Sequence, residues 1–145
     1  MINIDELIKE AMKSKNEVEL QVYRLIKSEI LKYKTAKNAK SYTAESEIEI
    51  LKKMAKSHEE SILMYSEAGR MDLVSKEEDE LKVIEKLLPA APSLSEIENF
   101  VKEYLKESNF QISKKEMGST IKYIKSVFPM ADGKTVSNII SKYIV

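Results

Sequence analysis

The 145-residue chain contains no cysteine and no tryptophan, and it has only three glycines and three prolines. Without cysteine, the chain can form no disulfide framework, no thiolate metal site and no cysteine nucleophile. With so few glycines and prolines, turns must be rare and the regular elements long. The three glycines are too far apart to assemble a phosphate-cradling loop, so a nucleotide-binding signature is excluded.

Long apolar runs are also missing. No stretch approaches 18 consecutive apolar residues, so we expect no membrane-spanning helix and no membrane partner. The N-terminus has no basic region followed by an apolar run, so we expect no secretory signal and predict a cytoplasmic location. The formal net charge is zero, so the molecule as a whole does not favour a polyanionic partner.

Predicted helix starts are marked by a side-chain acceptor with an acid three residues later, the capping-box pattern or its asparagine variant. The four pairs are Asn3 and Glu6, Asn16 and Glu19, Ser93 and Glu96, and Ser113 and Glu116. Thr43 and Asp132 are predicted to cap two further helices. Apolar residues then recur every three or four positions, and no segment alternates with a period of two. The sequence therefore predicts an all-α protein without a sheet.

One of the longest apolar stripes predicts the inward face of the second helix. Its members are Val18, Val22, Leu25, Ile26, Ile30 and Tyr33. Such spacing is typical of an amphipathic helix packed on its neighbours.

The segment Leu88–Ser93 separates two predicted subdomains. It contains Pro89 and Pro92, and proline disfavours helix both at its own position and at the preceding residue. We therefore predict an N-terminal helical-hairpin bundle of about four helices at residues 1–90. A C-terminal three-helix bundle is predicted at residues 91–145.

The sequence shows no catalytic constellation, and we predict no catalytic residue, no cofactor and no metal site. His58 is the only histidine and falls on an apolar stripe, so we interpret it as structural rather than as a general base or ligand. The acid run Glu77-Glu78-Asp79-Glu80 would point around more than one face of a helix. We therefore interpret the run as a solvated helix face.

The C-terminal part of the chain is basic. Residues 93–145 hold eight lysines against six acids, whereas residues 1–92 hold 16 basic and 18 acidic side chains. Lysines contact phosphates without sequence preference, and tyrosines stack on unpaired bases. The candidate nucleic-acid contacts are Lys114, Lys115, Lys122, Lys125, Lys134 and Lys142, beside Tyr123 and Tyr143. The alternative is an ordinary solubilising surface.

A second basic cluster extends from Arg24 to Lys40 and is opposed only by Glu29. It is the weaker candidate, because cations near a helix C-terminus are stabilising without any ligand.

Several motifs resemble those of the YqeY family. Ala11–Lys15 resembles the family's opening Ala-Met-Lys-x-Lys, and Ala68–Glu77 resembles its central Ala-Gly-Arg-x-Asp-Leu-x-x-Lys-Glu. Met117–Gly118 and Ala131–Lys134 resemble its two C-terminal signatures, so the likeness covers nearly the whole chain. The matching residues of the central motif are Ala68, Gly69, Arg70, Asp72, Leu73, Lys76 and Glu77.

The chain departs from the family pattern at three places. Glu19 stands where a basic residue is expected on the second helix. Pro129-Met130 stands where many members have Gly-Arg, which removes a cation beside the last signature. His58 stands where the family often has arginine.

The resemblance implies two all-helical subdomains and a relationship to the tail domain of the B subunit of glutamine-dependent aspartyl/glutamyl-tRNA amidotransferase. That tail engages tRNA, whereas the amidation chemistry resides in other parts of the enzyme. The family is described by the parent activity, carbon–nitrogen ligation with glutamine as amide donor. The implied partners are tRNA, or an amidotransferase or aminoacyl-tRNA synthetase component.

The leading hypothesis is a tRNA-associated binding module whose nucleic-acid face lies in residues 93–145. The six lysines named above would contact phosphates, with Asp132 and Gly133 at a phosphate-binding helix start. The alternatives are a protein-interaction adaptor without nucleic-acid binding and an enzyme of amide transfer. The central motif is interpreted as structural, with Gly69 in a left-handed backbone and Arg70 bound to helix carbonyls or to Asp72.

Overall fold

The computed structural model describes residues 1–145 and is all-helical without a β-strand, which confirms the predicted fold class. Two single 3-10 turns, Lys106–Ser108 and Lys114–Glu116, lie between the fifth and sixth α-helices. None of the helices has the length and apolar character that a membrane crossing requires. The seven α-helices are α1 (Ile4–Ser14), α2 (Glu17–Thr35), α3 (Ala44–Glu67), α4 (Met71–Leu87), α5 (Leu94–Tyr104), α6 (Met117–Val127) and α7 (Gly133–Ser141).

Five α-helix starts follow the predicted capping residues, whereas Ser113 precedes the 3-10 turn Lys114–Glu116 and α6 begins at Met117. The side-chain oxygens of Asn3, Asn16 and Ser93 accept hydrogen bonds of 3.2, 3.1 and 3.1 Å from the amides three residues later. Thr43 caps α3 in a reciprocal arrangement that Ser46, rather than an acid, completes. Each cap satisfies an amide that has no partner within its helix, which is worth about 1 kcal/mol.

Residues Met1–Leu88 form one compact unit, called here the N-terminal unit. Helices α3 and α4 pack as a hairpin, α2 packs against both, and α1 packs on α2. Ile26, Leu51 and Ile84 lie at its core with at most 1% of their surface exposed. The core therefore draws on three different helices.

The predicted inward stripe of α2 needs correction at two positions. Val18 and Leu25 are 38% and 45% exposed, whereas Val22, Ile26 and Ile30 are buried. The buried residues follow one another at four-residue steps along one face. Leu25 lies about 100° around the helix from Ile26, and Val18 lies in the first turn.

The turn between α3 and α4 depends on Gly69, whose φ is +71°. The Gly69 amide donates to the Ser66 carbonyl at 3.1 Å, and the Arg70 amide donates to the Tyr65 carbonyl at 2.9 Å. These two bonds are those of a Schellman motif, which requires a left-handed residue at the glycine position. The predicted left-handed glycine is confirmed.

We expect Gly69→Ala to lower the free energy of unfolding by about 1 kcal/mol, because alanine is strained at a positive φ. An added Cβ would meet no atom within 4 Å, so backbone strain is the only penalty. Gly118→Ala is the matched control, since Gly118 lies in α6 with equally open surroundings. It should raise the same free energy by about 0.5–1 kcal/mol. Denaturant unfolding followed by circular dichroism measures both, and shifts of the same sign would contradict the argument.

Residues Pro89–Val145 form a second compact unit, the C-terminal unit. Helix α7 packs against both α5 and α6. The side chains of Val101, Ile124 and Ile140 are fully buried in this unit's own core. That residues 1–90 and 91–145 are separate folding domains stays a prediction, and the Discussion gives its test.

Candidate nucleic-acid interface

The six predicted lysines are all exposed. They lie on the 3-10 turn before α6, on α6 itself, in the first turn of α7 and just beyond its end: Lys114 and Lys115, Lys122 and Lys125, Lys134, and Lys142. Lys142 differs from the others because its Nζ lies 3.7 Å from an Oε1 of Glu98 on α5. That pairing reduces the charge that Lys142 can offer to a phosphate.

The start of α7 brings several predicted residues together. The Asp132 carboxylate accepts hydrogen bonds from the amide and the hydroxyl of Thr135, at 3.3 and 3.1 Å. A Cβ at Gly133 would lie 3.3 Å from the Nζ of Lys125, so the Lys125 ammonium lies beside the first turn of α7. Lys134 follows Gly133 directly. Two cations and a helix N-terminus therefore share one location.

An exposed aromatic pair joins the end of α5 to α6, the helix that carries Lys122 and Lys125. The rings of Tyr104 and Tyr123 stack with centroids 4.9 Å apart and an interplanar angle of 28°. The ring of Phe100 packs edge-on against Phe128, with centroids 5.3 Å apart, and is tilted by 35° against Tyr123, with centroids 6.2 Å apart. Tyr104 and Tyr123 remain 46% and 43% exposed. Tyr104 is not among the predicted stacking residues, because it falls on the apolar stripe of α5 with Ile97 and Val101.

Tyr143 does not belong to this exposed pair. Its side chain is half-buried and packs against the core of the C-terminal unit. Its carbonyl accepts a 2.8 Å hydrogen bond from the Ile112 amide, beside the parallel bridge between Ile112 and Ile144. Tyr143 therefore packs against the C-terminal unit's core instead of joining the exposed pair, and its stacking role stays a prediction.

The second basic cluster is engaged within the N-terminal unit. Lys27 pairs with Asp5 of α1 at 2.6 Å, and Lys32 lies 3.3 Å from Glu29. The Nζ of Lys34 lies over the ring of Tyr42, 4.7 Å from its centroid. Three of the cluster's cations therefore already have partners in the fold.

The central motif forms the turn between α3 and α4. Arg70 donates two hydrogen bonds to the carboxylate of Asp72, at 3.2 and 3.1 Å. These bonds lower the pKa of the Asp72 carboxyl below its ordinary value. Both side chains are mostly exposed, so the pair contributes little to stability. Of the two partners predicted for Arg70, the structure has Asp72.

Of the motif's remaining side chains, Ala68 lies exposed at the end of α3 and the other three lie on α4. Leu73 is half-buried, Lys76 is exposed, and Glu77 is partly buried. That this motif is structural rather than functional stays a prediction.

The acid run of α4 needs correction. Glu78 and Asp79 are exposed as predicted, but Glu77 and Glu80 point inward, with 20% and 15% of their side chains exposed. Both carboxylates converge on the Nε2 of His58, at 3.6 and 3.2 Å. His58 itself is only 8% exposed.

One feature of the sequence is consistent with this convergence. Glu77 and Glu80 are three residues apart, the spacing that places two side chains on one helix face. The apolar stripe that contains His58 indicated that the histidine faces inward. The residues that His58 meets depend on how α3 and α4 pack. The spacing of residues along the chain does not predict that packing.

The comparisons with known proteins agree with these motifs. The sequence matches the family model described as "Yqey-like protein" over residues 2–144. A similar protein is the "Altered inheritance of mitochondria protein 41, mitochondrial" of Pyrenophora tritici-repentis, which is 37% identical over 101 residues. The match covers 68% of this chain and 55% of the relative, so the chain spans about half the relative's length.

The relative's name places that protein in mitochondria, and the cytoplasmic location of this chain stays a prediction. The family match covers far more than half of the chain, and the quoted motifs run through both units. This chain belongs to the YqeY family.

Proposed function

We propose that this chain is a tRNA-associated binding module whose nucleic-acid face lies in residues 93–145. The observation that carries the proposal is the position of Lys125. Its ammonium lies beside Gly133 at the start of α7, and the same helix α6 presents the exposed ring of Tyr123. Phosphate-binding and base-stacking groups are thus carried by one helix.

The start of α7 has the chemistry of a phosphate contact. The amides of Gly133 and Lys134 lie in the first helical turn, where an α-helix offers no internal acceptor, and the helix dipole favours an anion there. The ammonium groups of Lys125 and Lys134 add two positive charges. The Asp132 carboxylate contributes one negative charge, but it is engaged in capping Thr135.

The aromatic pair has the chemistry of a base platform. Tyr104 and Tyr123 stack on each other, which fixes the direction of both rings and leaves each nearly half exposed. A base from a single-stranded region of tRNA can extend such a stack, at about 1–3 kcal/mol per base. Stacking of this kind is tolerant of sequence, as is phosphate contact. The module is therefore expected to recognise tRNA by shape and charge.

Binding of the full chain to total tRNA should depend steeply on salt. Three phosphate contacts by Lys122, Lys125 and Lys134 predict a slope of log K against log salt of about −2 to −3. Between 50 and 200 mM salt, this slope corresponds to a loss of affinity of about 16- to 64-fold. Fluorescence anisotropy with labelled total tRNA measures it. A flat dependence would contradict the phosphate mechanism.

The alternative, a protein-interaction adaptor, is favoured by a different surface. Leu63, Met64 and Met71 are 61%, 68% and 61% exposed around the turn between α3 and α4. An apolar tip of this kind fits a protein partner, and an amidotransferase or synthetase component is the expected class.

A nuclease-treated pull-down separates the two functions. If wild-type protein binds no tRNA at 50 mM salt, and a partner retained after nuclease is lost in Leu63→Glu, the adaptor replaces the tRNA module. Turnover of glutamine by the purified chain would overturn both, because it would require an active site.

A further inference from the structure

We propose that His58, Glu77 and Glu80 form a binding site for one divalent transition-metal ion between α3 and α4. The site belongs to the N-terminal unit and does not depend on nucleic-acid binding by the C-terminal unit. One imidazole nitrogen and two carboxylate oxygens would be the protein ligands. All three ligand atoms lie within 4.8 Å of one another.

The hydrogen bond at the other ring nitrogen fixes which atom of His58 is available. Nδ1 lies 2.9 Å from the carbonyl oxygen of Met54, and a carbonyl can only accept, so Nδ1 carries a proton. A neutral imidazole then has its lone pair on Nε2, the atom that faces both carboxylates. A metal-bound histidine is commonly held in this way, with its second nitrogen donating to a backbone carbonyl.

The negative charge of the cluster would be stabilised by a bound cation. With a neutral imidazole, Glu77 and Glu80 leave two negative charges in a place where the three side chains are only 9–20% exposed. The 3.2 Å contact between Nε2 and Glu80 is a hydrogen bond when Nε2 also carries a proton, and that proton offsets one negative charge. A divalent ion in the same place offsets both negative charges.

The distances fit a small transition metal. In a tetrahedral site with ligand bonds of about 2.1 Å, neighbouring ligand atoms are about 3.4 Å apart. The Nε2 atom lies 3.2 Å from Glu80 Oε2 and 3.6 Å from Glu77 Oε2, on either side of that value. An imidazole ligand selects Zn²⁺, Co²⁺ or Ni²⁺ over Mg²⁺ and Ca²⁺, which prefer oxygen ligands alone.

Such an ion would join the two helices of the hairpin. His58 lies on α3 and both glutamates lie on α4, so coordination would cross-link two helices that also share one apolar core. Three protein ligands also leave a position of the ion open to water.

The full chain, freed of metal with a chelator, provides the test. We expect Zn²⁺ to bind with one ion per chain by calorimetry, and Co²⁺ to give the visible absorption of a low-coordinate site. Because His58 is the only histidine, the histidine ring proton resonances in an NMR spectrum can be assigned to it directly. They should shift on addition of Zn²⁺ and broaden or shift strongly with paramagnetic Co²⁺.

Substitution of single ligands should weaken binding. We expect Glu80→Gln and Glu77→Gln each to reduce Zn²⁺ affinity at least about tenfold, and His58→Gln to abolish the Co²⁺ spectrum. Glu78→Gln is the matched control, with the same change of group and charge on the exposed side of the same helix. It should change the affinity less than about twofold. Glu77→Gln and Glu80→Gln keep the test valid if circular dichroism shows that His58→Gln does not fold.

Two results would overturn the proposal. One is wild-type protein that takes up no Zn²⁺ or Co²⁺ and whose His58 resonances do not respond to either ion; the cluster would then be a histidine paired with two carboxylates and no metal. The other is equal loss of affinity in Glu78→Gln and Glu80→Gln, which would place the ion on the exposed acids.

Discussion

The variant Lys122→Glu, Lys125→Glu, Lys134→Glu is expected to lose tRNA affinity by at least about a hundredfold at 50 mM salt. It removes three phosphate contacts and places three repulsive charges at the same positions, and such contacts supply nearly all of sequence-independent binding. The slope of log K against log salt should flatten by about one for each lysine. The lysines are exposed, so folding should be unaffected.

A matched charge-reversal variant distinguishes tRNA binding by a defined surface from binding that depends only on the net charge of the protein. Lys9, Lys56 and Lys82 are also exposed, lie in the N-terminal unit, and give the same change of net charge when replaced by glutamate. We expect this control to weaken binding much less, since its charges are not at the proposed contacts. Equal losses in the two triple variants, or full binding by the first, would remove residues 93–145 as the nucleic-acid face.

Features set by neighbouring residues could be predicted from the sequence. A cap needs only an acceptor such as Asn16 or Ser93 and a free amide three residues later, so the start of a helix is legible in a few residues. The left-handed residue after α3 was predictable in the same way, because Gly69 is the residue that adopts a positive φ without strain. These features depend little on how the helices pack.

Features set by the packing of two helices could not be predicted. The stack of Tyr104 on Tyr123 requires α5 and α6 to meet at one particular register, and the sequence marks only Tyr123 as a stacking candidate. The convergence of two glutamates on His58 requires α3 and α4 to meet in the same way. Periodicity predicts which face of a helix is inward, but not which residue of the neighbouring helix it will meet.

The lysine cluster lies between these two cases. Its charge was evident from composition, because six lysines follow Ser108 and only two acids accompany them. The differences among the lysines are tertiary. Lys125 reaches the start of α7, whereas Lys142 pairs with Glu98. From the sequence alone, both Lys125 and Lys142 are predicted to contact phosphates.

Truncation of a core isoleucine should destabilise one unit and leave the other unchanged. Ile26 in the N-terminal unit and Ile124 in the C-terminal unit are both fully buried, and each belongs to its own core. Replacement by alanine removes buried methylenes and leaves a cavity, at about 3 kcal/mol. Since 1.4 kcal/mol is a factor of ten, amide hydrogen exchange in the affected unit should accelerate by about a hundredfold or more.

Neighbouring exposed residues supply the controls for this experiment. Leu25→Ala and Val127→Ala remove similar side chains that are 45% and 39% exposed, and each should change stability by less than about 1 kcal/mol. Peptide-resolved exchange in Ile124→Ala should show faster exchange in α5–α7 with α1–α4 unchanged, and the reverse in Ile26→Ala. If either substitution accelerates exchange equally across all seven helices, the chain unfolds as a single cooperative domain. The boundary predicted at Pro89–Pro92 would then be a kink in one domain rather than a division between two.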